Sequence, residues 1–170
     1  MFSIEIKRLY WLSDDSDNAK DEPKDLCLHG DVVVHIGSER FEENCTVSAT
    51  ALYLLKSLTE DRVAIYTNEQ LLPCCGHCFF EHEKDDTVWN CGCANGVDWH
   101  VRHTDHGVEL ETQSGAVTVI PLQEYRAAVF AFADAIKAHY DNSLPKTPED
   151  ELDLIWYPIF WREWARRRGA

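Results

Sequence analysis

The sequence predicts an α+β protein: an antiparallel sheet, mostly a β-meander, with two to three helices packed on one face. Three observations carry this. Short runs of alternating apolar residues are bounded by Gly-containing turn pairs, which is strand and hairpin patterning. Two long stretches instead repeat their apolar residues at three- and four-residue spacing, which is helical. Asn95-Gly96 lies between alternating runs, and Asn-Gly is the strongest short hairpin signal because a type I′ turn needs positive φ at both central residues.

The elements follow in order. Residues 3–11, SIEIKRLYW, place Ile4, Ile6 and Leu9 on one side of a first strand. Residues 13–25 are acidic, hold Pro23, and read as a solvated loop. Residues 26–44 read as two or three short strands turned at Gly30-Asp31 and Gly37-Ser38. Residues 46–61, TVSATALYLLKSLTED, form an amphipathic helix with Ala51, Leu52, Leu55 and Leu58 on its buried side and Thr46 or Ser48 as cap. VAIYT at 63–67 is a short strand. From Thr87 a four-strand meander is expected: TVWNCGC, VDWHVRH, VELETQ and AVTVIPL. Residues 121–143 are the longest helix, with Leu122, Tyr125, Val129, Phe132, Ile136 and Tyr140 on its apolar stripe. Thr147-Pro148-Glu149-Asp150-Glu151 starts the last helix, with acids at the positive end of its dipole, and Pro158 is expected to kink or divide it. Residues 1–145 are thus read as the α+β domain, and 146–170 as a kinked aromatic helix packed on it.

The chain's 30 acidic and 16 basic residues give a net charge of −14. Such a surface repels phosphate backbones and anionic lipid, so nucleic acid and membrane are excluded as partners and a basic protein is favoured. No run of about 20 apolar residues could span a bilayer. The first residues lack a signal-peptide h-region, so a cytoplasmic setting is expected.

Five of the seven cysteines fall in PCCGHCFFEHEKDDTVWNCGC, residues 73–93. Three readings stay open. The thiols pack as small buried hydrophobes. Alternatively Cys75, Cys78, Cys91 and Cys93 hold a structural zinc, Cys75-x2-Cys78 forming the knuckle, with Cys74, His77 and His82 as spare ligands. The third is a thiol-disulfide enzyme using Cys75 and Cys78 of CGHC, which needs its first thiol at a helix N-terminus. The downstream FFEHEKDDTVWN shows no helical stripe. Asp98, His100 and Arg102, with Glu109 or Glu111, could form an acid–base cluster, but read better as the solvated face of a meander. No phosphate-binding Gly loop, GxSxG or HExxH occurs. No catalytic residue is assigned.

Trp156, Tyr157, Trp161 and Trp164 crowd the last helix together with Phe160. One helix face cannot bury them all against one core, so these four aromatics are the candidate partner-binding residues; the other reading is a terminal helix that docks across the sheet and closes the core, and the two are compatible. The strings CTVSATALYLLKSLTED, PCCGH, GVDWHVRH and YPIFWREWARRR together resemble a group of small acidic bacterial proteins of uncharacterised function, over most of the chain. The resemblance implies that PCCGH and NGxDWxVxH belong to one design, to which Cys78 and Cys93 are additions, and it implies no activity. In general character, though not in any motif, the chain is similar to bacterial immunity proteins, which neutralise toxins by binding. The expected function is therefore a non-enzymatic acidic binding protein, an immunity-type inhibitor of a basic partner.

Overall fold

The computed structural model describes residues 1–64, 68–74, 78–82 and 85–169, with the side chains of residues 17 and 18 set aside. The chain is an α+β protein of antiparallel sheets and three helices among these residues.

The first sheet has four strands in the order β2 (Ser16–Ala19), β1 (Phe2–Ser13), β3 (His29–Ile36) and β4 (Glu39–Cys45). Strand β1 pairs antiparallel with β3, which pairs with β4. Ile6 opposes Val32 and Arg8 opposes Asp31, so Lys7 is an extra residue in the ladder. That bulge re-phases the strand, and Leu9 joins Ile4 and Ile6 against the core, as expected. Gly37-Ser38 turns β3 into β4 with Gly37 at φ 62°, a conformation glycine adopts without strain. The acidic stretch 13–25 is more ordered than expected. It contains β2 (Ser16–Ala19), which folds back on β1 with Trp11 opposite Ala19.

Strands β7 (Trp99–Thr104), β8 (Gly107–Thr112) and β9 (Val117–Ile120) form the expected meander, but only as three strands. The expected fourth, β6 (Thr87–Asn90), pairs instead with β5 (Phe79–His82) as a separate hairpin. Asn95-Gly96 is not a type I′ hairpin: neither residue has positive φ, and Val97 bridges to Leu72 rather than to the preceding strand. Gly96 serves close approach, because a Cβ there would stand 2.2 Å from Oε1 of the buried Gln70. Of the expected strand 63–67, residues 65–67 lie outside the described set; Arg62 beside it bridges to Val101.

Helix α1 (Val47–Lys56) is buried from Val47 to Leu55, not amphipathic. Its small residues Ser48, Ala49, Thr50 and Ala51 let sheet and helices close on it from all sides, against β3 and the two later helices. Thr46 stands at the N-cap but makes no side-chain cap bond. Helix α2 (Leu122–Asp141) buries Tyr125, Val129, Phe132, Ile136 and Tyr140 as expected, while Leu122 stays exposed. Its Tyr125 hydroxyl meets Ser57 Oγ at 2.7 Å, which ties it to the end of α1. Helix α3 (Glu151–Arg168) starts later than expected. Asp150, not Thr147, is its cap and accepts from Asp153 N at 2.7 Å. Thr147 instead donates its hydroxyl to Pro23 O. Pro158 lies inside one continuous helix rather than dividing it.

Candidate functional site

Helices α2 and α3 leave a groove between them, closed at one end by the linker 142–150. Its volume is about 450 Å³, and Tyr140, Leu144, Tyr157, Trp161 and Trp164 line it. The rings are held edge to face: Tyr140–Trp161 at 4.9 Å and Tyr157–Trp161 at 6.2 Å between centroids. Tyr140 is fixed from behind, its hydroxyl donating to Leu26 O at 2.9 Å and accepting from Leu28 N at 3.0 Å. Burial pushes that phenol well above its ordinary range. At the rim Arg168 makes a bidentate pair with Asp134, and Lys137 pairs with Asp141 at 2.5 Å. The mouth is therefore close to locally neutral. Lys146 is pinned under the linker, its ammonium 3.1 Å from the centroid of Trp11 and donating to Glu22 O. Burial lowers its pKa.

The structure divides the four expected contact aromatics. Trp156 is only 2% exposed; it stacks on Phe79 at 4.9 Å and donates Nε1–H to Asp153. Trp164 is 3% exposed and forms part of the groove floor. Tyr157 and Trp161 are half-buried and present their remaining surface to the groove. Leu144 and Leu154 extend this apolar strip; Leu154 is 58% exposed and lies three and seven residues before Tyr157 and Trp161, on the same helical face.

Beside the linker lies an acidic end. Asp14, Asp15, Glu22 and Asp25 surround a concavity of about 510 Å³. Lys24 bridges from this loop to Glu149 at 3.0 Å, and Leu144 N donates to Asp21. These contacts draw the exposed carboxylates of Glu149, Asp150 and Glu151 alongside those of the loop.

In the cysteine stretch, Cys75 and His77 lie outside the described residues. Cys78 is exposed and immediately precedes β5, so the CGHC string leads into a strand, not into the helix a disulfide-exchange site uses. Burial and the neighbouring Cys91 raise the Cys78 thiol, the direction opposite to a catalytic dithiol. Cys91 N donates to Cys78 O at 3.1 Å, and Cys93 is half-buried two residues on. Among the described residues no three metal-ligating side chains gather at one point. The packed-thiol reading of the stretch does not hold for its described cysteines, since Cys78 is exposed and Cys74, Cys91 and Cys93 are only half-buried. Cys27 and Cys45, outside the stretch, are the buried ones, and burial pushes Cys45 up to about 12.

The meander cluster is mostly solvated. Arg102 pairs with Glu109 at 2.9 Å on the outer face, and His100 opposes Glu111. Asp98 departs from this: it is buried and accepts from Arg62 Nη2 at 2.7 and 2.6 Å and from Leu71 N. It holds Arg62 and Leu71 beside the start of the β7 strand.

One charged cluster escaped the sequence reading. Lys56, at the end of α1, lies 3.4 Å from the fully buried Glu163 of α3 and donates to Val88 O at 2.8 Å. Glu163 also accepts from Val88 N and from Arg167 Nε. Burial lowers the Lys56 pKa, and Glu163 and Glu69 partly offset it. Lys56, Glu69 and Arg167 line a polar cavity of about 470 Å³ with Tyr53, Glu60 and Arg62, and Glu163 lies behind that lining. Nothing in the spacing of Lys56 and Glu163 signals their meeting, since they lie more than a hundred residues apart.

No protein-family model, no curated protein and no solved structure matches the chain. No helix among the described residues is long and apolar enough to cross a membrane.

Proposed function

We propose that this protein is a non-enzymatic binding protein for a basic protein partner, acting as an immunity-type inhibitor. One observation carries the reading: the half-exposed rings of Tyr157 and Trp161 line a groove whose linker wall runs directly into the acidic end. Aromatic rings held rigidly in a groove are the composition of binding hot spots. Because the rim pairs leave the groove mouth close to neutral, long-range attraction comes from the carboxylates at Asp14, Asp15, Asp150 and Glu151. The division of labour is then steering by the acidic end and anchoring by the groove.

The test is capture of partners from the native host at low and high salt, followed by kinetics with the recovered protein. Trp161→Ala is expected to speed dissociation about tenfold or more. Charge reversal at Asp14, Asp15 and Glu151 is expected to slow association and flatten its salt dependence. A partner that associates with the charge-reversed protein at the unaltered rate, or no partner at any salt, overturns the reading.

A further inference from the structure

We propose that Cys78 and Cys91 form a reversible disulfide across the β5–β6 hairpin, an oxidation site distinct from the CGHC string. The ladder sets the geometry. Phe79 opposes Asn90, Phe80 opposes Trp89 and His82 opposes Thr87, so the next pair in register is Cys78 and Cys91. The bond from Cys91 N to Cys78 O continues that register. Directly opposed residues of a hydrogen-bonded antiparallel pair have Cα atoms about 5.5 Å apart, inside the range of about 4.4–6.8 Å that a disulfide spans.

Alternation then decides the side. Phe79, Val88 and Asn90 face the core. Cys78 and Cys91 share the opposite face with the stacked Phe80–Trp89 pair, whose rings lie 4.8 Å apart. Both thiols therefore stand on the outer face, and Cys78 is exposed to an oxidant. In the structure both are free thiols.

Glutathione disulfide is the oxidant class that fits. The Cys78 thiolate attacks one sulfur of glutathione disulfide, forming a mixed disulfide and releasing one glutathione thiolate. The Cys91 thiolate then attacks the Cys78 sulfur, closing the protein disulfide and releasing the second. The two protons lost by the cysteines go to the two glutathiones, and the cysteines' two electrons reduce the disulfide. Since burial and Cys91 raise the Cys78 thiol, the first exchange, in which Cys78 is the nucleophile, is slow compared with a catalytic dithiol. The bond acts as a staple. It tightens the hairpin that presents Phe79 and Val88 to α3.

The experiment equilibrates the full chain with glutathione disulfide, blocks the remaining thiols, digests without reduction and assigns the linked sulfurs by fragmentation. Fragmentation is needed because Cys74 and Cys75 share a tryptic peptide with Cys78, as Cys93 does with Cys91. A Cys78–Cys91 link is expected. It should vanish in Cys78→Ser and Cys91→Ser and survive in Cys93→Ser. Oxidation should also quench Trp89 fluorescence and slow exchange of the Val88 amide about tenfold. A link that omits either cysteine, thiols that stay reduced in excess glutathione disulfide, or a zinc ion held by both sulfurs overturns the proposal. So does a Cys78–Cys91 link with no change in Val88 exchange, because the staple would then not act on the hairpin.

Discussion

The carboxylate of Glu163 lies 3.4 Å from the ammonium of Lys56, and through this contact the last helix is bound to the central one. Glu163→Gln keeps the shape but removes the charge, leaving Lys56 and Arg167 without their shared buried partner. A loss of about 3–5 kcal/mol in denaturant unfolding is expected, as for breaking one side of a buried pair. Arg162→Ala, which breaks only an exposed pair with Asp86, should cost no more than about 1 kcal/mol. Equal costs for the two variants would refute the central role of Glu163.

Trp156 and Leu154 lie two residues apart on α3 but differ in burial, at 2% and 58% exposed. Trp156→Ala is expected to lose about 3–5 kcal/mol of stability, because its ring fills space against Phe79 and Phe160. Leu154→Ala should stay within about 0.5 kcal/mol. Thermal unfolding of both variants checks this, and a mild Trp156→Ala would mean that the ring does not serve the core.

Gly96→Ala is expected to cost about 1–3 kcal/mol, since the new methyl would run into the Gln70 amide. Combining it with Gln70→Ala should recover part of that loss. If the cycle shows no coupling, the glycine serves some purpose other than close approach.

Stability should fall at alkaline pH. An unfolded thiol titrates near 9.0 and an unfolded phenol near 10.0, while burial raises Cys27, Cys45, Tyr53, Tyr125 and Tyr140 in the folded chain. Above those values the unfolded chain releases protons that the folded chain keeps, so these groups' contribution, whole below pH 9, is lost as pH rises. Lys56 and Lys146 act in the opposite sense. Their folded pKa values are lowered from 10.5, so their burial cost eases as pH rises toward that value. These five fully buried groups outnumber the two lysines, and Cys78 and Tyr157, also raised by burial, act in the same sense, so the net is a decline, read as a falling urea midpoint from about pH 9 to pH 11. A midpoint that rises across this window would contradict it.

The zinc reading has a direct test as well. If the thiols of the cysteine stretch hold no metal, chelation should leave the thermal midpoint unchanged and metal analysis should find less than one zinc per chain. A stoichiometric zinc whose removal lowers the midpoint by about 5 °C or more would instead establish a structural metal in that stretch.

Much of this fold was legible because periodicity is local. The α2 stripe, the Gly37-Ser38 turn and the β7–β9 meander each arise from residues close in the chain. The β5–β6 hairpin was not, because Asp86 at its turn adopts φ 47° without a glycine to announce it. Asn95-Gly96 misled for the converse reason: a turn signal was present, but the glycine answers to Gln70, a neighbour in space. The groove was half legible. The excess of aromatics on one helix implied exposed rings, but packing against Phe79 selected which of them stay covered. Lys56 and Glu163 were invisible, since a charge gives no sign of burial until the partner that covers it is in place.

Helix α1 carries a final consequence. With Val47 to Leu55 enclosed on every side, it has no face on which to accept variation. A saturation library of the whole chain should therefore show an unbroken block of intolerance there, where ordinary helices show every third or fourth position spared. At Ala49 and Ala51 even Ala→Val should be selected against.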